Sequence, residues 1–215
     1  MNEPPSFVQP SILTVCIDFR DPLAYLAKDP TCLLEKEFPI SIDWQPLQVP
    51  PMKPPQAAVT GDDRGTRHRR YRAEAAAKDI FRYAEIRGLQ LNGIYSEADS
   101  SLAGIGLLWV KQQSGEIQHR YIDLVFERFA RRTLDIESFE AIALLLHEAG
   151  AATEGLEQFV TGDGRAMFNL LQLELGQTGV FSVPAYLIDG EIFHGRQHLP
   201  MIRWILSDRQ GEPPI

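Results

Sequence analysis

The chain has 215 residues, enough to bury a full core, and its 44% hydrophobic and 23% charged residues are ordinary for a folded globular protein. No stretch approaches the ~20 consecutive apolar residues that span a bilayer, which predicts no membrane insertion. The formal net charge of −8 repels polyanions at long range and argues against a nucleic-acid partner. The opening Met1-Asn2-Glu3-Pro4-Pro5-Ser6 has no basic start, and the short apolar run behind it has no small-residue cleavage pattern. A secretory signal is therefore not expected. The two cysteines, Cys16 and Cys32, match neither a redox C-x-x-C nor a zinc pair, so structural disulfides are not expected and a cytoplasmic location is.

In chain order, Ile12 to Ile17 is a β-branched apolar run that reads as a strand buried on both faces. Asp21-Pro22 then offers a capping oxygen followed by a first-turn proline, predicting a helix from Pro22 to about Lys36. Ile40 to Trp44 alternates with period two and predicts a second strand, completing a βαβ unit. Five prolines between Pro46 and Pro55 predict an extended loop. Helical spacing follows over Tyr71 to Arg87, Ser100 to Lys111, Ile117 to Arg131, Ile136 to Ala149 and Gly164 to Gly176, with glycines at most of the ends. Ala185 to Ile188 and Glu191 to Phe193 flank Asp189-Gly190, a strong hairpin signal, and a last helix is expected over Leu199 to Ser207. The order strand-helix-strand, helices, strand-strand-helix predicts an α/β thioredoxin-like fold with an all-helical insertion between its halves. The expected organisation is one unit over residues 1–215, its core in 11–56 and 177–210 and its insertion in 66–176.

Two stretches, Asp18-Phe19-Arg20-Asp21-Pro22-Leu23-Ala24-Tyr25-Leu26 and Gly179-Val180-Phe181-Ser182-Val183-Pro184-Ala185-Tyr186, resemble the DsbA-like superfamily. The resemblance is strongest to 2-hydroxychromene-2-carboxylate isomerases and kappa-class glutathione transferases, and Asp79 to Ala84, Phe126 to Ala130 and Leu134 to Ile136 resemble that family's helical insertion. It implies a cis peptide between Val183 and Pro184, with the Val183 backbone facing the cysteinyl part of glutathione or a peptide. On the dipeptide alone, Pro184 also reads as the first residue of an edge strand. The family's Ser or Cys at the start of the first helix is here Asp21, which is either the helix cap or a general base facing a cleft. After the hairpin the family's G-x-D-R becomes Gly195-Arg196-Gln197-His198, so an acidic partner for glutathione's amine is replaced by neutral Gln197. The family's Asn after the second strand is missing from Gln48-Val49-Pro50-Pro51.

The implied cofactor is glutathione, held by Val183, Pro184, Arg196 and Gln197 with Asp21 at the catalytic position. Weak binding is expected, because an ionised carboxylate repels a thiolate. The resemblance also implies a homodimer. Other clusters read more plainly. Arg64, Arg67, His68, Arg69, Arg70 and Arg72 are either a flap that attracts an anionic substrate or a solvated loop and helix start. His194 and His198 lack companion ligands, so no metal is expected. Trp44, Trp109 and Trp204 are expected in the core, and Cys16 and Cys32 as inert thiols. The functional expectation is an isomerase or transferase acting on a small organic substrate, with a repurposed binding protein as the alternative. A dithiol oxidoreductase is not expected, for want of a cysteine at position 21.

Overall fold

The structure, a computed structural model, describes residues 11–214; the amino-terminal hexapeptide lies outside the described residues. Strand β1 (Ser11–Ile17) runs parallel to β2 (Ile40–Pro46), with Val15 opposite Trp44, and helix α1 (Pro22–Glu37) connects them. Val15, Cys16 and Ile17 are consecutively buried, as a central strand covered on both faces requires. Strand β2 alternates instead, burying Ile42 and Trp44.

Helix α1 contains Pro30, which has no N–H to donate to the Leu26 carbonyl one turn back. The guanidinium of Arg87 supplies that hydrogen bond from another helix, and its other nitrogen pairs with Asp29 at 3.0 Å. A proline defect inside one helix thereby becomes a tie to the next.

Six helices follow: α2 (Arg64–Ile86), α3 (Ser101–Val110), α4 (Gly115–Ala130), α5 (Phe139–Ala149), α6 (Leu156–Thr161) and α7 (Asp163–Gln177). The basic run lies in the first turns of α2, the helix start of the second expected reading, and not in a loop. Asp63 caps that helix, accepting from the Thr66 N–H at 3.0 Å. No residue from Arg64 to Asp79 is buried, so apolar periodicity there was too weak to mark the true start. Helix α3 is the opposite case, with only Trp109 reaching the surface. Gly104 and Gly106 admit the rings of Phe168 and Tyr121 where a Cβ would collide, and the Tyr121 hydroxyl donates to the Ala103 carbonyl at 2.9 Å. Helix α6 carries too few residues to show a period.

Strands β3 (Ala185–Ile188) and β4 (Glu191–His194) form the hairpin, with φ of 51° at Asp189 and 77° at Gly190. Both angles are left-handed, as a two-residue turn matching the strand twist requires. A 3₁₀ turn (Arg196–His198) and α8 (Leu199–Leu206) close the chain. The sheet order is β2-β1-β3-β4, with β3 antiparallel to β1 and β4 to β3. Trp44 is buried, and its indole nitrogen has no partner among the described residues. Trp109 and Trp204 are half-buried at the margin of the core and donate to the Ala152 and Gly211 carbonyls.

Candidate functional site

Where β1 ends, the chain makes a tight turn from Asp18 to Asp21 before α1 begins, closed by the Asp21 N–H donating to the Asp18 carbonyl at 2.9 Å. Asp18 is 3% exposed and accepts from every side. Its Oδ1 takes the Arg20 N–H, Arg20 Nε and the Ser100 hydroxyl, and its Oδ2 takes Arg20 Nη2 and the Val49 N–H. Arg20 continues to the carbonyls of Ala98 at 2.8 Å and Val49 at 2.7 Å. This buried ion pair therefore ties the end of β1 to the loop after β2 and to the connector before α3. The two charges in Asp18-Phe19-Arg20 were its only trace in the sequence.

Asp21 is half-buried at the cap of α1. Its Oδ1 accepts from both Leu23 and Ala24 N–H at 2.8 Å. Its Oδ2 has no hydrogen-bond partner among the described residues and is not one of the buried orphan atoms, so it meets solvent. Burial, reinforced by the charge of Asp18, pushes the Asp21 carboxyl up to about 7, against the opposing pull of the two helix N–H groups and Arg20. Of the two expected readings the helix cap is observed, with the second carboxyl oxygen left open.

Two small cavities flank Asp21. One, of about 20 Å³, is walled by Phe19, Tyr25, Phe126 and Phe129, with Arg132 at its rim. Tyr25 and Phe126 stack there at 5.3 Å. The other, of about 10 Å³, lies toward Val49, Pro50 and Met52. Each has room for about one water.

The remaining sequence-selected residues, Val183 and Pro184 ahead of β3 and Arg196 and Gln197 in the 3₁₀ turn after β4, line neither cavity. The Val183–Pro184 bond is cis. Continuing the β1–β3 register, in which Cys16 faces Ala185, puts Pro184 beside Ile17 and Val183 beside Asp18. The Pro184 carbonyl is taken by the Gly195 N–H at 2.7 Å, whereas no hydrogen bond among the described residues uses the backbone of Phe181, Ser182 or Val183. Phe181 is 73% exposed and stacks on His194 at 4.0 Å, and the Ser182 hydroxyl lies 3.0 Å from His194 Nδ1. Arg196 lays its guanidinium 3.8 Å over the Tyr83 ring, and Gln197 folds back to donate to the His194 carbonyl at 2.8 Å. Neither residue is held toward Asp21 by a hydrogen bond.

Neither thiol lines the cavities beside Asp21. Cys16, the penultimate residue of β1, is pushed up to about 12 by burial with the charge of Asp43 adding, and Cys32, about three turns along α1, is pushed up to about 11 by burial. Among the described residues no three His, Cys, Asp or Glu gather as metal ligands would, and no helix is long and apolar enough to cross a membrane.

A helix leaving the central strand, a cis-proline ahead of the antiparallel hairpin and a helical block between the halves define the thioredoxin-like class of proteins. Within it, the chain belongs to the DSBA-like thioredoxin domain family, whose profile matches residues 12–207. No curated protein matches the sequence. Among solved structures, it is similar to a 2-hydroxychromene-2-carboxylate isomerase, with a TM-score of 0.68 and 18% identity over 92% of this chain and 95% of that one. It is also similar to a probable DsbA oxidoreductase from Streptomyces coelicolor, with a TM-score of 0.67 and 14% identity over 95% and 93% of the two chains. A third is the cytosolic disulfide reductase DsbM from Pseudomonas aeruginosa, solved with GSH, with a TM-score of 0.63 and 13% identity over 92% and 98%. At such identities these likenesses establish the fold.

Proposed function

We propose that the chain is an isomerase-like or transferase-like enzyme that acts on a small organic substrate with glutathione as its thiol, and is not a dithiol oxidoreductase. The observation that carries this reading is Asp21, a helix-cap carboxyl with a solvent-facing Oδ2 at the place where thiol-handling relatives carry Ser or Cys. A thiol resting against Oδ2 would hand its proton to the carboxylate. An ordinary thiol ionises near ~8.5, so against a carboxyl at about 7 roughly 3% of bound thiol would be thiolate. Against a carboxyl at its ordinary 3.8 the fraction would be about 2 in 10⁵. Matching of this kind is what general-base catalysis requires.

In the reaction the S–H bond breaks, the proton goes to Asp21 Oδ2, and the sulfur adds to an electrophilic carbon of the substrate. After rearrangement the C–S bond breaks and the proton returns to sulfur, so glutathione is regenerated by an isomerase; a transferase would release the adduct. The free N–H and C=O of Val183 suit the cysteinyl backbone of glutathione. The relative solved with GSH and the isomerase-like neighbour support the reading, and the resemblance extends it to a cytoplasmic homodimer.

A second reading, a repurposed binding protein, is favoured by the smallness of the cavities beside Asp21 and by Gln197 turning away toward His194. Calorimetric titration of glutathione separates the two. The expected result is weak binding by the wild type, strengthened about tenfold or more by Gln197→Asp, since a restored charge-assisted bond contributes about 1.5–3 kcal/mol. Tight wild-type binding that Gln197→Asp does not improve would mean that the glutathione amine lies away from Gln197. Absence of binding in both forms would refute the glutathione reading.

A further inference from the structure

Asp18 is the most completely bonded side chain of the site, and the proposed chemistry does not use it. All five of its hydrogen bonds are internal, so it has no lone pair to spare for a ligand. It nevertheless shares a single turn with Asp21 and borders the same small cavity. Three segments hold it there: its own turn through Arg20, the loop after β2 through Val49, and the connector before α3 through Ser100.

We propose that Asp18 is a positioning residue, whose locked charge adds to burial in holding the proton of Asp21 while Arg20 and Ser100 fix Asp18 in place. This rests on the reading of Asp21 as the base and supplies what that base needs. A helix N-terminus favours the charged form of a carboxyl at its cap, and two N–H bonds on Oδ1 act in the same direction. Burial opposes those influences, because removal from water disfavours the charged form. A like charge in the same turn adds to burial, while Arg20 moderates the effect because it is paired with Asp18 rather than with Asp21. The other groups facing Asp21 are Tyr25 from α1, Ser96 from the connector and Arg132 from the end of α4, all bordering the same cavities. Of these only Arg132 is a fixed charge, and its guanidinium is committed to the Tyr95 carbonyl and the Phe129 ring.

The arrangement also places control of the site in the helical insertion. Ser100 and Ala98 belong to the connector between α2 and α3, so a shift of that connector would loosen the Asp18 carboxylate from its donors without touching Asp21. Charge at the site is thus coupled to packing between the two halves of the fold.

The test is a carbon-13 titration of the Asp21 side-chain carboxyl in the full chain, which needs no ligand and is therefore independent of whether glutathione binds. Asp18→Asn is expected to lower the Asp21 midpoint by about one pH unit or more, the ordinary effect of removing a close like charge. Arg20→Gln is expected to raise it, because an attracting charge is lost. Opposite signs from two partners of one ion pair are the decisive readout, since a merely structural role would move both variants the same way. If Asp18→Asn does not fold, the double variant Asp18→Asn/Arg20→Gln, which removes the pair without leaving a buried charge unpaired, decides by comparison with Arg20→Gln alone: a lower midpoint in the double variant upholds the assignment, and an equal or higher one overturns it. A midpoint that stays at its wild-type value in both variants also overturns it.

Discussion

Replacing Asp21 with Asn keeps the oxygen that caps α1 and puts an uncharged amide where Oδ2 stands, so the substitution removes titration with little change of shape. In the wild type the folded chain holds the Asp21 proton more tightly than the unfolded chain does. Between the ordinary 3.8 and about 7 the native state therefore binds more protons than the unfolded state, and stability falls as pH rises through that window. At about 1.4 kcal/mol per pH unit the ceiling is about 4 kcal/mol. Solvent reaching the half-buried carboxyl leaves about 2 kcal/mol as the working expectation. Asp21→Asn should thus match the wild type at pH 4 and exceed it by about 2 kcal/mol at pH 8, a rise in Tm of about 4–8 °C for a chain of this size. Urea unfolding of both forms at pH 4, 6 and 8 measures the difference, in which titrations elsewhere cancel. A difference that stays flat with pH would refute the reasoning, because Asp21 would then ionise alike in the folded and unfolded chains. The gain in stability should come with loss of any thiol-dependent turnover, as expected where a site is held in a costly state for function.

The redox expectation is checked by insulin reduction: wild type and the Cys16→Ala/Cys32→Ala double variant should both remain at background, since burial suppresses both thiolates. Turnover that disappears in the double variant would overturn the assignment of both thiols as inert. Gly106→Ala should destabilise the fold by about 2 kcal/mol, because overpacking against Tyr121 outweighs the roughly 1 kcal/mol of helix propensity gained. A higher Tm for that variant would show that the Tyr121 ring has room to move.

Strand and helix order was legible along the chain because its signals are local: β-branched runs for β1 and β2, Asp21-Pro22 for the start of α1, Asp189-Gly190 for the hairpin. The resemblance in Gly179 to Tyr186 likewise located the proline turn that the register sets beside the end of β1. Two elements escaped for equally local reasons. The first turns of α2 bury no side chain and show no apolar period, and α6 has only six residues. The surroundings of Asp21, by contrast, are not a local property. From the sequence Asp21 is an ordinary carboxylate that repels a thiolate. Only the tertiary structure wraps it beside Asp18 and under the aromatic wall of α4, where removal from water raises its affinity for a proton. The same holds for Asp18 and Arg20, whose hydrogen-bond partners lie 29 to 82 residues away along the chain. Desolvation and buried ion pairs are made by residues distant in sequence, so the chain order could name the turn but not its chemistry.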